Sequence, residues 1–144
     1  MTRLATHGRE QRHDAARFCT HCGVVTDDAP RRVCPACGLG VVLSCARDSA
    51  PRPDAPFLVV TTDLRVSAAS AATERLFGDP DDLVGRPLLD LVRGDGAFPR
   101  QVARAAMGSG KPATAWVRTG EHSRPHKTRI VTCGEPPAAL VVLS

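Results

Sequence analysis

Two CxxCG units stand close together near the start of the chain and constrain its fold more than any other feature. They are Cys19-Thr20-His21-Cys22-Gly23 and Cys34-Pro35-Ala36-Cys37-Gly38, with eleven residues between Cys22 and Cys34. Two residues between cysteines let both thiolates reach one ion from a single tight turn, and the glycine that follows accepts a positive φ. Two such turns close a tetrahedral four-sulfur site. The spacing therefore predicts a bound metal ion, with Cys19, Cys22, Cys34 and Cys37 as its ligands, rather than disulfides.

Zinc is the metal that we expect, because closed four-thiolate sites are commonly structural zinc sites. Iron is the alternative and would imply electron transfer. His21 lies inside the first unit, but four thiolates already complete the coordination shell, so we expect its side chain to be exposed. Cys45 is a candidate spare ligand or redox partner, but we expect both Cys45 and Cys133 to be free, half-buried thiols whose roles stay open.

Composition and length allow one ordinary domain or two small ones. The chain has 144 residues, of which 42% are apolar and only 3% aromatic, so a core must be built mainly from Val, Leu and Ala. The net charge of +4 is mildly basic and is not by itself typical of nucleic-acid binding. We find neither a stretch of ~18–20 apolar residues nor a secretory signal. These observations predict a cytoplasmic protein without membrane contact, in which thiols stay reduced.

Changes in composition divide the chain into four regions. Residues 1–15 are polar and predict a flexible tail, and residues 16–46 predict a small metal-bound β-ribbon. Three prolines in residues 47–56 predict an extended linker. Residues 57–144 form the largest region. About thirty residues bury too little surface to fold alone, so the ion would stabilise the ribbon, by about 10–16 kcal/mol in zinc-finger peptides.

Residues 57–144 predict an α+β fold. Apolar and β-branched runs predict strands at 57–62 and from 66, and again at 113–118, 127–133 and 138–143. Periodic apolar residues between these two groups predict helices at 70–77, 80–84, 88–92 and 98–107. This order of elements favours a five-stranded antiparallel sheet with helices on one face.

The beginning of this region resembles PAS domains. The resemblance is most specific at Leu76-Phe77-Gly78, which ends a predicted helix, and at Gly85-Arg86-Pro87-Leu88, which precedes another. It extends over residues 54–144, although Ser67 or Ala68 stands where the family usually has asparagine. It implies a PAS-like fold that senses a small ligand, light, redox state or a gas, or that mediates protein contacts.

The PAS resemblance also implies a core or ligand cavity between sheet and helices. Its candidate residues are Phe57, Val59, Leu76, Phe77, Leu88, Val102 and Trp116. No cysteine lies between residues 46 and 132 and no histidine between 22 and 121, so the central helices lack a flavin-adduct cysteine and a haem ligand. We therefore expect no flavin and no haem.

The first region resembles zinc ribbons, and also the rubredoxin-like module of rubrerythrins. In the latter comparison Ala29-Pro30 precedes the second CxxCG unit, as it does in that module. The zinc-ribbon resemblance implies a structural ion, and the rubredoxin-like resemblance implies an iron centre.

Together the two regions predict a non-enzymatic signalling protein, in which a PAS-type sensor or protein-interaction module is coupled to a structural zinc ribbon. In the sequence we find no nucleophilic triad, no pair of carboxylates in a known catalytic motif and no phosphate-binding loop. A protein partner is expected, and a homodimer or a small-molecule ligand stays open. The alternative is a transcription-associated regulator that contacts nucleic acid or RNA polymerase through the ribbon and its basic N-terminus. The basic residues concerned are Arg3, Arg9, Arg12, Arg17, Arg31 and Arg32.

Overall fold

The structure, a computed structural model, describes residues 15–26, 32–109, 111–120 and 123–143. Within these ranges one antiparallel sheet of eight strands runs through both predicted regions. The strands are β1 (Ala15–Cys19), β2 (Val25–Thr26), β3 (Val42–Ala46), β4 (Phe57–Val60), β5 (Val66–Ala69), β6 (Ala113–Val117), β7 (His126–Cys133) and β8 (Ala138–Leu143). The α-helices are α1 (Glu74–Phe77), α2 (Leu88–Leu91) and α3 (Phe98–Ala106), and single 3-10 turns are formed by Arg47–Ser49, Ala71–Thr73 and Pro80–Leu83.

The last five strands form the sheet that the sequence predicts for residues 57–144. They lie in the order β5-β4-β8-β7-β6, and each neighbouring pair is antiparallel. Helix α3 packs over β7 and β8, where the Thr132 hydroxyl donates a hydrogen bond of 2.7 Å to the Ala105 carbonyl. The α+β prediction is therefore confirmed for the described residues.

Local signals place the helix ends. Gly78 has φ +87° directly after α1, a backbone conformation that a side chain would strain. The carboxylate of Asp79 accepts a 3.0 Å hydrogen bond from the Asp81 amide and so caps the turn that begins at Pro80. The Asp95 carboxylate accepts hydrogen bonds from the Ala97 and Phe98 amides at the start of α3. These breaks lie where glycine, proline and aspartate predict them.

Both faces of the five-stranded sheet carry a cluster of buried side chains, but the two clusters pack against different partners. Successive side chains of a strand point to opposite faces. Leu58 and Val60 of β4 therefore join the cluster under the helices, whereas Phe57 and Val59 face away from them. That second face carries a separate cluster, which we call the ribbon-side cluster. Its buried members are Phe18, Cys45, Phe57, Val59, Val131, Cys133 and Leu140.

The first region, here called the ribbon (residues 15–26 and 32–46), covers this second face. Strand β1 pairs with β3 along its length, and β3 joins β7 where Cys45 lies opposite Cys133. The Gly134 amide donates a 2.8 Å hydrogen bond to the Ser44 carbonyl beside that pair. The ring of Phe18 meets that of Phe57 edge to face, with centroids 5.5 Å apart. The ribbon is thus part of the same sheet and core as the rest of the chain.

The segment predicted as an extended linker is held against the sheet. It begins with the 3-10 turn Arg47–Ser49, and Pro51 is buried. The Arg129 guanidinium on β7 donates hydrogen bonds to the carbonyls of Asp48 (3.3 Å) and Ser49 (3.0 Å). A domain boundary at 47–56 stays a prediction. The predicted tail lies outside the described residues except for Ala15, which begins β1, a strand that the sequence analysis did not predict.

Replacing Phe18 by alanine should destabilise the whole chain, because this fully buried ring joins the ribbon to Phe57. Truncating a buried phenylalanine costs about 3–5 kcal/mol of unfolding free energy. Urea unfolding followed by far-ultraviolet circular dichroism measures the change. The matched control is Val25→Ala on exposed β2, which should shift the free energy by less than about 0.5 kcal/mol. Equal effects of the two substitutions would contradict the packing role of Phe18.

Candidate metal centre

The four cysteines of the CxxCG units converge on one point. Their sulfur atoms all lie within 4.8 Å of one another, with Cys19 Sγ 3.6 Å from Cys37 Sγ and Cys22 Sγ 3.8 Å from Cys34 Sγ. A tetrahedron of sulfurs about 2.3 Å from a central zinc ion has edges of about 3.8 Å. A disulfide would bring two sulfurs to about 2.05 Å, and all six cysteines are free. The predicted ligand set is therefore brought together with the geometry of a four-thiolate ion site.

Two matching turns place the four sulfurs. The Gly23 amide donates to the Cys19 carbonyl at 3.1 Å, and the Gly38 amide donates to the Cys34 carbonyl at 2.9 Å. Both glycines have positive φ, +76° and +70°. Each turn thereby directs its two cysteine side chains toward the same side, and pairing of β1 with β3 brings the two turns face to face.

Main-chain amides lie close to the sulfurs, and the pKa of the thiol shifts in a different direction from one cysteine to another. The amides of His21 and Cys22 lie 3.3 Å and 3.4 Å from Cys19 Sγ, but burial outweighs them and raises the pKa of that thiol. Burial also raises the pKa of Cys22 to about 12. The amides of Leu39 and Gly40 instead lower the pKa of Cys37 to about 6. A divalent cation would offset the cost of holding four thiolates this close together.

Gly40 is a site residue that the sequence analysis missed. It is buried, and its carbonyl accepts a 2.8 Å hydrogen bond from the Cys34 amide. A methyl group at this position would overlap Cys19 Sγ and would lie 2.7 Å from the His21 nitrogen. In the sequence, Gly40 is visible only as a second glycine two residues after the CxxCG unit. The three-dimensional pairing of the two turns shows why a side chain cannot fit there.

The first turn of the metal centre also contacts the second region directly. The His21 carbonyl accepts a 2.7 Å hydrogen bond from the Ala71 amide, at the start of the 3-10 turn that leads into α1. A Cβ atom on Gly23 would lie 2.9 Å from the Pro53 carbonyl oxygen. His21 is half-buried rather than exposed as predicted, because its backbone is held in this contact.

The predicted core residues lie in three different environments. Leu88 and Val102 are buried under the helices, with Leu76 and Phe77 partly buried against the same cluster. Phe57 and Val59 belong to the ribbon-side cluster instead. The prediction for Trp116 is wrong, since 63% of its side chain is exposed. In β6 Ala115 and Val117 take the inward positions, so Trp116 points to the other face, beyond the part that the ribbon covers.

Cys45 and Cys133 lie outside the four-sulfur site. They face each other across the β3–β7 junction, and both are buried rather than half-buried as predicted. Burial raises the pKa of Cys45 to about 11 and that of Cys133 to about 12. Both thiols therefore stay protonated near neutral pH and pack as small apolar groups.

Comparison with known proteins finds distant likeness among solved structures. No family model matches the chain, and no curated protein is similar enough to be matched. Among solved structures the chain is similar to the PAS domain of nitrogen regulation protein NR(II) from Vibrio parahaemolyticus, with 19% sequence identity and a TM-score of 0.49 over 63% of this chain and 88% of that chain. Among the described residues no helix has the length and apolar character that crossing a bilayer requires.

Replacing Cys37 by serine should abolish stoichiometric metal binding, because a closed site needs all four thiolates. The matched control is Cys133→Ala, which removes a buried thiol outside the site. Inductively coupled plasma mass spectrometry of the purified variants measures the metal content per chain. Equal metal content in the two variants would contradict the assignment of Cys37 as a ligand.

Lowering the pH should weaken metal binding, because the ion competes with protons for the same sulfurs. The pKa values of Cys19 and Cys22 are raised, so both thiols hold their protons near neutral pH until an ion displaces them. We expect lower zinc affinity at about pH 6 than at about pH 8, with protons released on binding. Competition titrations against a zinc indicator at the two pH values measure this, and an affinity that does not change with pH would count against thiolate coordination.

Proposed function

We propose that this chain is a non-enzymatic signalling protein, in which a PAS-like sensory or interaction module is combined with a structural zinc ribbon. One observation carries the proposal: four sulfurs converge in a ribbon that is hydrogen-bonded into the same sheet as the module. The sequence motifs around Leu76-Phe77-Gly78 and Gly85-Arg86-Pro87-Leu88 support the PAS-like part. The antiparallel sheet with helices on one face is compatible with it.

The ion in this proposal has a structural role. Four thiolates fill a tetrahedral shell and leave no open position for a substrate. When bound, zinc would hold the turns at Cys19 and Cys34 together and thereby keep β1 and β3 on the sheet. Iron in the same site would make the protein coloured, so an absorption spectrum separates the two metals.

The route proposed for a signal runs through packed contacts rather than through residues 47–56, for which composition predicts an extended linker. The ribbon shares β7 with the module and contacts it at Ala71 and at Phe57. We propose that a ligand or protein partner that binds the module acts on the ribbon through these packed contacts. The stability of the ribbon then depends on the stability of the module, and the reverse.

The nucleic-acid alternative stays a prediction. Four of its six basic residues lie outside the described residues, and these are Arg3, Arg9, Arg12 and Arg31. Of the two that are described, Arg32 is exposed and Arg17 is half-buried. A gel-shift series at low salt tests this alternative, and no shift at the lowest salt concentration would exclude direct contact.

Removing the metal with a zinc chelator should loosen the module as well as the ribbon. Hydrogen–deuterium exchange read by mass spectrometry should rise in β1 and β3, and also in β4 and near Cys133, whose face the ribbon covers. Helix α3 lies on the opposite face and should change least. The control is Cys37→Ser, in which the chelator should produce no further change. Faster exchange confined to the two CxxCG turns would contradict the proposed coupling.

A further inference from the structure

A second candidate site lies on the ribbon-side face of the sheet, beyond the part that the ribbon covers. A cleft of about 850 Å³ opens there between residues 48–56 and the strands β6, β7 and β8. Ligand pockets typically have volumes of about 300–1,000 Å³. This cleft is on the opposite side of the sheet from the helices, so it is separate from the interior in which the PAS resemblance places a cavity.

The cleft has an apolar wall and a cationic wall. Ala50, Pro56 and Val142 contribute the apolar part. Lys127 and Arg129 contribute the cationic part, and they alternate with inward-facing residues along β7 so that both face the cleft. Such a mixture of apolar surface with a few polar groups is typical of sites for small organic molecules.

Arg129 carries a half-buried positive charge that lacks an anionic partner among the described residues. Its guanidinium donates hydrogen bonds to the carbonyls of Asp48, Ser49 and Ala50, which are uncharged groups. Its Nε atom is buried and has no hydrogen-bond partner in the part of the chain that the structure describes. Removing a cation from water without pairing it is unfavourable. An anion in the cleft would therefore lower the free energy of this group.

The described residues that line the cleft carry three cationic and two anionic side chains. Arg52 and Lys127 stand with Arg129 against the carboxylates of Asp48 and Asp54. Water and salt screen the four exposed charges alike, whereas Arg129 is half-buried. Arg129 is therefore the least screened charge of the cleft, and it is positive.

Trp116 adds an independent indication of binding. It lies directly opposite Lys127 in the β6–β7 register and on the same face of the sheet, with 63% of its side chain exposed. Large exposed aromatic side chains beside polar groups are enriched at binding surfaces. As the only tryptophan in the sequence, it is also an optical probe on the strand next to Lys127, which lines the cleft.

We propose that this cleft binds a small organic monoanion. The anionic group lies against Lys127 and Arg129, and the apolar body lies along Val142 and Pro56. This assignment follows from the charge and lining of the cleft and does not depend on the signalling function proposed above.

Energy transfer from Trp116 to the fluorescent sulfonate 8-anilinonaphthalene-1-sulfonate tests the proposal in the full chain. We expect binding that weakens with salt, and displacement by hexanoate. Hexanamide has the same apolar body without the charge, and inorganic phosphate has the charge without the body. Each should compete about tenfold more weakly than hexanoate. Absence of energy transfer, or equal competition by hexanoate and hexanamide, would overturn the proposal.

Substitutions localise the binding. Lys127→Gln should weaken hexanoate binding about three- to tenfold while leaving the circular dichroism spectrum unchanged. The matched control is Arg104→Gln, which removes an exposed charge from α3 on the other side of the sheet and should change nothing. Arg129→Gln should also weaken binding, but it loosens residues 48–50, so Lys127→Gln is the deciding variant. Equal affinity of Lys127→Gln and the unaltered chain would show that the probe binds elsewhere and would refute the site.

Discussion

The packing of the ribbon against the second face of the sheet is the contact on which the rest of the structure depends. Phe18 and Phe57 meet edge to face there, and β3 joins β7 beside Cys45 and Cys133. Without this cover a row of apolar side chains on β4, β7 and β8 would face water. At about 25 cal/mol per Å² of apolar surface, such exposure is costly for a chain with few aromatic residues. The ribbon therefore completes the cluster on the second face of the sheet.

The four-sulfur site and this packing support each other. The ribbon is too small to bury much surface of its own, and the four sulfurs lie at distances suited to a tetrahedral ion. An ion there would hold the turns that carry β1 and β3, and those strands place Phe18 on the sheet. The first of these turns also approaches Ala71 and Pro53 closely, so the four-sulfur site is anchored to the rest of the chain at two further points.

The ribbon covers only part of one face of the sheet, and the residues of the second candidate site lie on the part that it leaves uncovered. The ribbon reaches β7 only at its Cys133 end, while β6 pairs with the other end of that strand. Trp116, Lys127 and Arg129 stand on the part of the face that stays open or is only bordered by residues 48–56. The packing that buries Phe57 thus leaves uncovered a surface that has cationic groups, an aromatic ring and an apolar wall.

Local signals in the sequence predicted the four converging cysteines and most elements of residues 57–143, because cysteine spacing, apolar periodicity and turn residues act over a few positions. Tertiary structure alone decided which partner covers each face of the sheet. Alternation along β4 shows that Phe57 and Leu58 point in opposite directions, but it does not show that Phe18 meets one and the helices the other. The pairing of Cys45 with Cys133 joins residues far apart in the chain, and no local pattern encodes it. For the same reason Trp116 was expected in the core: its burial depends on how far the ribbon extends over the sheet, which only the assembled strands determine.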